Sequence, residues 1–239
     1  MKNYSKITPE GTKDFLFEEC LSTRTVSHIL GEVFSQRGFH EVLTPGVEFY
    51  DVFSNPAAQI PQENMFKLSD SKGRLMVVRP DSTLPIARMT ATRLQNEVLP
   101  IRLYYNQRVY RNNRGLTGRS NEVMQTGIEL LGISGKRAII TTAIEALTRC
   151  VPDFRIELGH AGFFKALLNK LPVSDNERED IHSFIEAKNY SALNSFLDTL
   201  EQTKAVAAIR RLPRLFGGEE VLNEASELCD DKDALRPLE

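Results

Sequence analysis

The chain has 239 residues, of which 41% are hydrophobic and 26% charged, and its 30 basic and 32 acidic side chains give a formal net charge of −2. This balance is typical of an ordinary globular protein and argues against a broad basic surface for nucleic acid or anionic lipid. Three widely spaced cysteines, Cys20, Cys150 and Cys229, predict neither a disulfide framework nor a structural zinc site. No apolar run has the length of a signal peptide or a membrane helix, which favours a reducing, cytoplasmic setting.

The first predicted element is a long amphipathic helix. Apolar residues recur at helical spacing from Phe15 to Arg37, and Gly38 follows at the position of a C-terminal cap. The next stretch, FHEVLTPGVEF, predicts a short strand broken by Pro45, because proline and the residue before it interrupt regular strand pairing.

Residues 65–80 predict a β-hairpin with a Ser-Lys-Gly turn at 71–73. A helix should follow, capped by Ser82 or Thr83 and with Pro85 in its first turn. The RPDST stretch at this junction can direct a carboxylate and hydroxyls toward a ligand near the positive helix terminus. A turn that only caps the helix is the simpler interpretation of these residues taken alone.

A longer hairpin is predicted over residues 101–131, with its loop at about 112–120. A helix over 136–149 and a strand over 154–160 come next, and the remaining sequence is mainly helical in pattern. This order lacks regular βαβ alternation. It therefore predicts an α+β fold in which an antiparallel sheet is flanked by helices.

The C-terminal part of the chain has a different character. From about Phe163, segments such as SDNEREDIHSFIEAKNYSALNSFLDTLEQ are helical in pattern and rich in surface charge. The sequence therefore predicts a core at 1–162 and a mainly helical insertion or subdomain at 163–239.

The candidate binding residues lie on the outgoing strand of the long hairpin, EVMQTGIEL. Residues two apart share a face of a strand, so Gln125, Gly127 and Glu129 project together, and the other face is apolar. An amide, a bare backbone and a carboxylate in a row suit the floor for a small polar ligand that carries an amine. Arg111, at the end of the incoming strand, is expected over the same floor. Solvation of Gln125 and Glu129 on an exposed sheet face explains the pattern equally well.

Five separated segments resemble, in order and spacing, the catalytic core of histidyl-tRNA synthetase over about residues 7–160. They are GTKDFL, VLTPGVE, MFKLSDSKGRLMVVRPDST, PIRLYYNQRVYR and GRSNEVMQTGIELLG. The resemblance implies a class II aminoacyl-tRNA synthetase-like core. In that family the proline-bearing strand lies at a dimer interface, and the hairpin with its arginine handles ATP.

The resemblance also implies a histidine-binding site. Asp81 matches an acid that holds the amino group of histidine, with Asp in place of the family's Glu. Thr83, Gln125 and Glu129 match positions that line the amino-acid pocket. Arg111 matches the arginine that contacts the carboxylate and the α-phosphate. Neither a metal ion nor another cofactor is expected.

The departures from the family pattern lie on the nucleotide side. Asn113 replaces an acid associated with adenine recognition, and Asn121 replaces an arginine. The later histidine-recognition segment and the third synthetase motif do not occur before Glu239, so the core is expected to be incomplete at its C-terminus. Loss of preorganised contacts to the nucleotide should cripple adenylation, by about 2 to 4 kcal/mol for each contact.

A histidine pocket beside an eroded ATP site resembles the regulatory subunits of ATP phosphoribosyltransferase, which are paralogues of histidyl-tRNA synthetase. The resemblance implies a non-catalytic protein of histidine biosynthesis that binds L-histidine, forms a homodimer and has no tRNA or membrane partner. It also implies association with the short catalytic subunit, whose full activity and histidine feedback depend on the regulatory protein. The alternatives are an active histidyl-tRNA synthetase or its catalytic fragment, and a dimerisation module with an empty pocket.

Overall fold

The chain, represented by a computed structural model, divides into two compact units, Met1–Phe154 and Arg155–Glu239. The structure describes residues 4–54, 60–113, 119–133 and 135–229. The boundary predicted between residues 162 and 163 lies inside the first helix of the second unit. That the second part is inserted into an otherwise continuous core stays a prediction.

The first unit contains the predicted long helix, α1 (Phe17–Gln36). Gly38 follows it with a φ of +77°, a left-handed conformation that glycine adopts without steric strain. The amides of Gly38 and Phe39 donate to the carbonyls of Ser35 and Phe34 at 2.9 and 3.0 Å, respectively. This is the hydrogen-bond pattern of a Schellman cap, so the predicted helix end is confirmed.

Strands and two further helices complete the described part of the first unit. In chain order they are β1 (His40–Glu41), β2 (Val47–Phe49), β3 (Lys67–Ser69), β4 (Leu75–Val78), α2 (Thr83–Arg93), β5 (Ile101–Tyr110), β6 (Glu122–Leu131) and α3 (Lys136–Cys150). The strands form two sheets, ordered β1-β5-β6 and β2-β4-β3. Helices beside separate sheets confirm the predicted α+β class.

One strand pair departs from the antiparallel arrangement that the sequence predicts. β1 pairs with β5 in parallel, whereas the other described pairs are antiparallel. Parallel neighbours require a long crossover connection. Here the second sheet and α2 lie between the two strands in the chain, which gives the connection the necessary length.

Both predicted hairpins are confirmed. β3 and β4 are joined through a turn in which the carboxylate of Asp70 accepts the amides of Lys72 and Arg74, each at 2.9 Å. β5 and β6 pair along their whole lengths, over ten residues each. Part of the predicted loop at 112–120 lies outside the described residues.

The first sheet has an apolar core on one face and α2 on the other. Phe34 on α1 packs against Tyr104 on β5, with ring centroids 5.6 Å apart, and Ile128 on β6 joins the same cluster. The predicted packing of this side of β6 on a core therefore holds at the partly buried Ile128, whereas Met124 on the same side is 38% exposed. On the opposite face, Tyr105 packs against Ile86 of α2. This second face of the sheet is the one that carries the candidate binding residues.

The regular secondary structure in the described part of the second unit is all helical, as the sequence predicts from about Phe163 onward. Its helices are α4 (Ala161–Asn169), α5 (Asp175–Glu186), α6 (Tyr190–Leu197), α7 (Lys204–Arg211) and α8 (Glu220–Leu228). They enclose a core of buried side chains that includes Phe163, Leu167, Ile181, Leu193, Leu197, Val206 and Ile209. Across both units, none of the helices within the described ranges is long and apolar enough to cross a membrane.

The strand predicted at 154–160 is wrong. These residues adopt no regular secondary structure, and the side chains of Ile156 and Leu158 are 38% and 72% exposed. Alternating apolar residues form a strand when one face can be buried and the backbone can pair with a neighbour. Neither condition holds for this segment in the described structure.

Candidate functional site

The five predicted site residues lie together where the start of α2 faces the middle of the β5–β6 hairpin. They form what we call the floor cluster: Asp81, Thr83, Arg111, Gln125 and Glu129. The antiparallel register places Gly127 opposite Tyr105 and Gln125 opposite Gln107. Opposed residues project to the same side of a sheet, so the cluster is built on one face of the hairpin.

Asp81 is the centre of the floor cluster. One carboxylate oxygen accepts the amide of Thr83 at 2.8 Å, and the other accepts the side-chain amide of Gln125 at 3.1 Å. Gln125 in turn accepts the backbone amide of Ser82 at 3.0 Å. The predicted helix start is therefore confirmed, with Ser82 at the predicted N-cap position. The side-chain hydrogen bond, however, comes from Asp81, which receives an orphan amide of α2, whereas the Ser82 side chain makes no capping hydrogen bond.

Glu129 is held against the same helix start. The hydroxyl of Thr83 donates to a Glu129 carboxylate oxygen at 2.8 Å. Burial raises the pKa of the Glu129 carboxyl, the Thr83 hydrogen bond opposes that shift, and the negative charge of Asp81 adds to it. Two carboxylates linked through one threonine thus concentrate negative charge at this end of the cluster.

Arg111 is the most loosely held member of the floor cluster. Its Nε donates to the carbonyl of Pro80 at 2.9 Å, which fixes the base of the guanidinium. Its Nη2 lies 3.9 Å from Asp81, and the side chain is 48% exposed. A half-exposed guanidinium at this distance makes only a weak ion pair. It can therefore still turn toward an incoming anionic group.

Tyr105 is a site residue that the sequence did not reveal. A Cβ on Gly127 would lie 2.5 Å from the Tyr105 hydroxyl oxygen, so the missing side chain leaves room for the phenol across β6. Burial raises the pKa of this phenol, and the nearby Glu129 charge raises it further. Alternation along β5 places Tyr105 in one row with Arg111, but its position opposite Gly127 can be recognised only once the strand register is known.

The end of the hairpin carries a second polar group, the amide pair of Asn113 and Asn121. The Asn121 side-chain oxygen accepts the Asn113 backbone amide at 3.0 Å, and its side-chain nitrogen donates to the carbonyl of Glu10 at 3.0 Å. The Asn113 side chain donates to Ser120. Gly11 packs so closely that a Cβ there would lie 2.5 Å from Asn121. The amide pair therefore ties the hairpin to the N-terminal segment.

The floor cluster has the composition of a site for a small zwitterion. It holds two carboxylates and one half-exposed guanidinium, so a ligand with an ammonium and a carboxylate can complement both. Among the described residues, no group of three or more His, Cys, Asp or Glu side chains is placed to hold a metal ion.

The fold and this site define a class II aminoacyl-tRNA synthetase-like core. The family model described as histidyl-tRNA synthetase matches residues 11–239. The chain therefore belongs to the histidyl-tRNA synthetase family, as the sequence resemblance predicts.

Two relatives and one solved structure show how far the similarity extends. ATP phosphoribosyltransferase regulatory subunits of Clostridium kluyveri and Clostridium acetobutylicum are 41% and 40% identical to this chain over its whole length, and the aligned parts cover 63% and 60% of those proteins. A structure described as an ATP phosphoribosyltransferase regulatory subunit/histidyl-tRNA synthetase from Bacillus halodurans C is 29% identical. It superposes with a TM-score of 0.89 over 100% of this chain and 63% of its own. The chain thus spans about three fifths of the length of these relatives.

Proposed function

We propose that this protein is a non-catalytic regulatory subunit of ATP phosphoribosyltransferase that binds L-histidine at the floor cluster. The observation that carries the proposal is the contrast within one hairpin. The amino-acid side retains two carboxylates and a guanidinium, whereas the nucleotide side carries the amide pair, whose side chains bond to the protein itself.

Each polar end of histidine has a counterpart in the floor cluster. The α-ammonium would meet Asp81, whose carboxylate is already oriented by Thr83 and Gln125. The ligand carboxylate would meet the half-exposed Arg111. An imidazole N–H would meet Glu129, a partly buried carboxylate whose pKa is raised chiefly by burial and which accepts the Thr83 hydroxyl.

The amide pair supports the loss of nucleotide chemistry. Adenylation depends on positioned positive charge around the transferring phosphates. Asn121 supplies none, and its side chain is engaged by Glu10 and Asn113. Asn113 likewise supplies no carboxylate. We therefore propose that the adenylation site is eroded, which separates this protein from the active synthetases of its family.

The partner in this proposal is the short catalytic subunit of ATP phosphoribosyltransferase. The relatives in Clostridium carry the name of that enzyme's regulatory subunit. Histidine bound at the floor cluster would alter the activity of the partner through a coupling free energy of about 1 to 3 kcal/mol. We further propose a cytoplasmic homodimer without a tRNA or membrane partner.

Reconstitution with a short catalytic subunit tests this proposal. The full-length natural protein should activate the catalytic subunit and make it sensitive to histidine. Asp81→Ala and Glu129→Ala should each weaken the histidine sensitivity and leave the activation intact. Inhibition that is unchanged in both variants would count against the floor cluster as the histidine site.

A synthetase activity is the second candidate, because Arg111 is retained and projects partly into solvent. ATP-pyrophosphate exchange in the presence of histidine separates the two functions. We expect no exchange above background. Robust exchange by the full-length protein would overturn the regulatory proposal.

A further inference from the structure

Arg79 is a charged residue buried in the first unit, just before the floor cluster. Arg79 is only 5% exposed. Burial has the largest effect on the pKa of its guanidinium and lowers it. Burying a guanidinium is unfavourable unless its donors find good acceptors. The acceptors of Arg79 are therefore informative about its role.

These acceptors belong to two other chain segments. Nη1 donates to the carbonyls of Thr44 and Pro45 at 2.7 and 2.9 Å, and to the Thr44 hydroxyl at 3.2 Å. Nη2 and Nε both donate to the carbonyl of Arg108 on β5, at 2.7 and 3.2 Å. One side chain at the end of β4 thus joins the connection between β1 and β2 to β5.

Backbone hydrogen bonds reinforce the same junction. The amide of Arg79 donates to the carbonyl of Gly46, and the amide of Tyr110 donates to the carbonyl of Arg79, both at 2.9 Å. The junction therefore fixes the exit of β4 from the second sheet relative to β5 of the first sheet. The next residues along the chain are Pro80 and Asp81.

The backbone of Asp81 follows directly from this junction, whereas Glu129 belongs to the β5–β6 ladder, and side-chain hydrogen bonds through Gln125 and Thr83 link the two. Pro80 carries the carbonyl that anchors Arg111, and Asp81 reaches across to Gln125 on β6. Glu129 lies in a region of β6 that is paired residue by residue with β5. A change at Arg79 should therefore displace Asp81 relative to Glu129.

We propose that Arg79 is a positioning residue that sets the selectivity of the floor cluster for the α-ammonium group of its ligand. The proposal rests on the proposed histidine site and adds to it. The guanidinium nitrogens donate to protein acceptors, so the side chain would act through the backbone. It holds the Asp81 carboxylate at the distance from Glu129 at which one ligand can reach both.

The positioning role of Arg79 is tested by comparing two ligands that differ only in the presence of the amino group. L-histidine and 3-(imidazol-4-yl)propionate share the imidazole and the carboxylate, but only histidine carries the ammonium. Their affinities for the full-length natural protein are measured by calorimetry, and the ratio of the two dissociation constants is the readout. General loss of structure, or displacement of Arg111, changes both affinities alike and leaves this ratio unchanged.

Arg79→Lys keeps the positive charge but cannot span the acceptors on both segments. We expect the preference for histidine to fall about tenfold, toward the ratio given by Asp81→Asn. Thr44→Val removes one of the Arg79 acceptors, the hydroxyl, and with it the acceptor of the buried Gln107 side-chain amide, and should lower the preference about two- to threefold. If Arg79→Lys does not fold, Thr44→Val alone tests the proposal.

Arg37→Lys is the matched control. Arg37 is another partly buried arginine of the first unit, paired with Glu145 at the α1–α3 layer. Its substitution should leave the preference unchanged. The role of Arg79 would be overturned if the wild type prefers histidine and the folded Arg79→Lys and Thr44→Val variants have the same ratio of dissociation constants. A wild-type protein that does not bind histidine would overturn the proposed function itself, and the positioning role with it.

Discussion

The two polar regions of the β5–β6 hairpin differ in how their hydrogen-bonding groups are satisfied. In the amide pair, Asn113 and Asn121 bond to each other and to nearby backbone groups, without net charge. In the floor cluster, Asp81 and Glu129 are hydrogen-bonded, and among the described residues the cation beside Asp81 is Arg111, whose Nη2 lies 3.9 Å away. A neutral, satisfied group stabilises the fold, whereas a surplus of half-buried charge favours a complementary ligand. Polar groups beside two parts of the same hairpin can therefore serve opposite purposes.

Asp81→Asn should produce the largest change, because it removes a charge without changing the size of the side chain. The affinity for histidine should fall by about 2 to 4 kcal/mol, since the ligand ammonium loses its charged acceptor. Calorimetric titration with histidine measures the loss. The unfolding transition of the variant verifies that the fold is kept.

Asp70→Asn is the control for this change. Like Asp81, Asp70 accepts two amide donors, here the backbone amides of Lys72 and Arg74, but it lies in the β3–β4 turn. Its substitution should leave the affinity for histidine unchanged. Equal losses in the two variants would show that the effect of Asp81 is general to turn aspartates.

Gly127→Ala should produce the next largest change. The new methyl group would lie 2.5 Å from the Tyr105 hydroxyl and force the phenol away from β6. We expect an overpacking cost of about 1 to 3 kcal/mol in unfolding free energy. The displaced phenol should also weaken histidine binding, to be measured by titration.

Gly46→Ala is the control for the substitution of Gly127. A Cβ at Gly46 meets no atom within 4 Å, and its backbone does not adopt a left-handed conformation. This variant should bind histidine like the wild type. If Gly127→Ala also binds normally, Tyr105 is not part of the floor of the site.

Asn121→Ala tests the amide pair and should have a smaller effect. The variant loses the hydrogen bonds to Asn113 and Glu10, which should lower the unfolding free energy by about 1 kcal/mol. Histidine affinity should not change. Asn112→Ala, which loses one exposed bond of 3.3 Å to Glu63, should destabilise the protein less. A loss of histidine affinity in Asn121→Ala would contradict the separation of the two regions.

The sequence predicts those features of the fold and site that depend on local patterns. Helical spacing and Gly38 locate α1 and its end, and alternation along β6 selects the shared face of Gln125 and Glu129. Alternation also misleads at 154–160, because a strand requires a partner that lies elsewhere in the chain. Local patterns are sufficient where a segment determines its own conformation.

Contacts between distant segments could not be predicted in this way. Tyr105 enters the site because the register places it opposite Gly127, and Arg79 acts through carbonyls contributed by two other segments. The Asp81 carboxylate accepts a local helix amide, but its second hydrogen bond, to Gln125, joins it to β6. The contacts that join distant segments depend on tertiary geometry.

The smallest predicted effect is the pH dependence that Glu129 contributes to stability. Its folded-state pKa is raised above the ordinary value of 4.5, chiefly by burial. In the window between these two pKa values, the folded state keeps a proton that the unfolded state releases. The contribution of this group is therefore fully present below the ordinary pKa and is lost as the pH rises through the folded-state pKa.

Glu129→Gln should remove this loss, because the amide oxygen can still accept from Thr83 without carrying a charge. At pH 7 without ligand, the variant should be more stable than the wild type by less than about 1 kcal/mol, since solvent screens a half-exposed carboxylate. Denaturant unfolding from pH 4 to pH 8 measures the difference, which should shrink as the pH falls. Glu177→Gln should show the opposite sign, because hydrogen bonds to Ser174 lower the pKa of Glu177. A less stable Glu129→Gln at pH 7 would mean that the floor cluster holds no surplus charge for a ligand to neutralise.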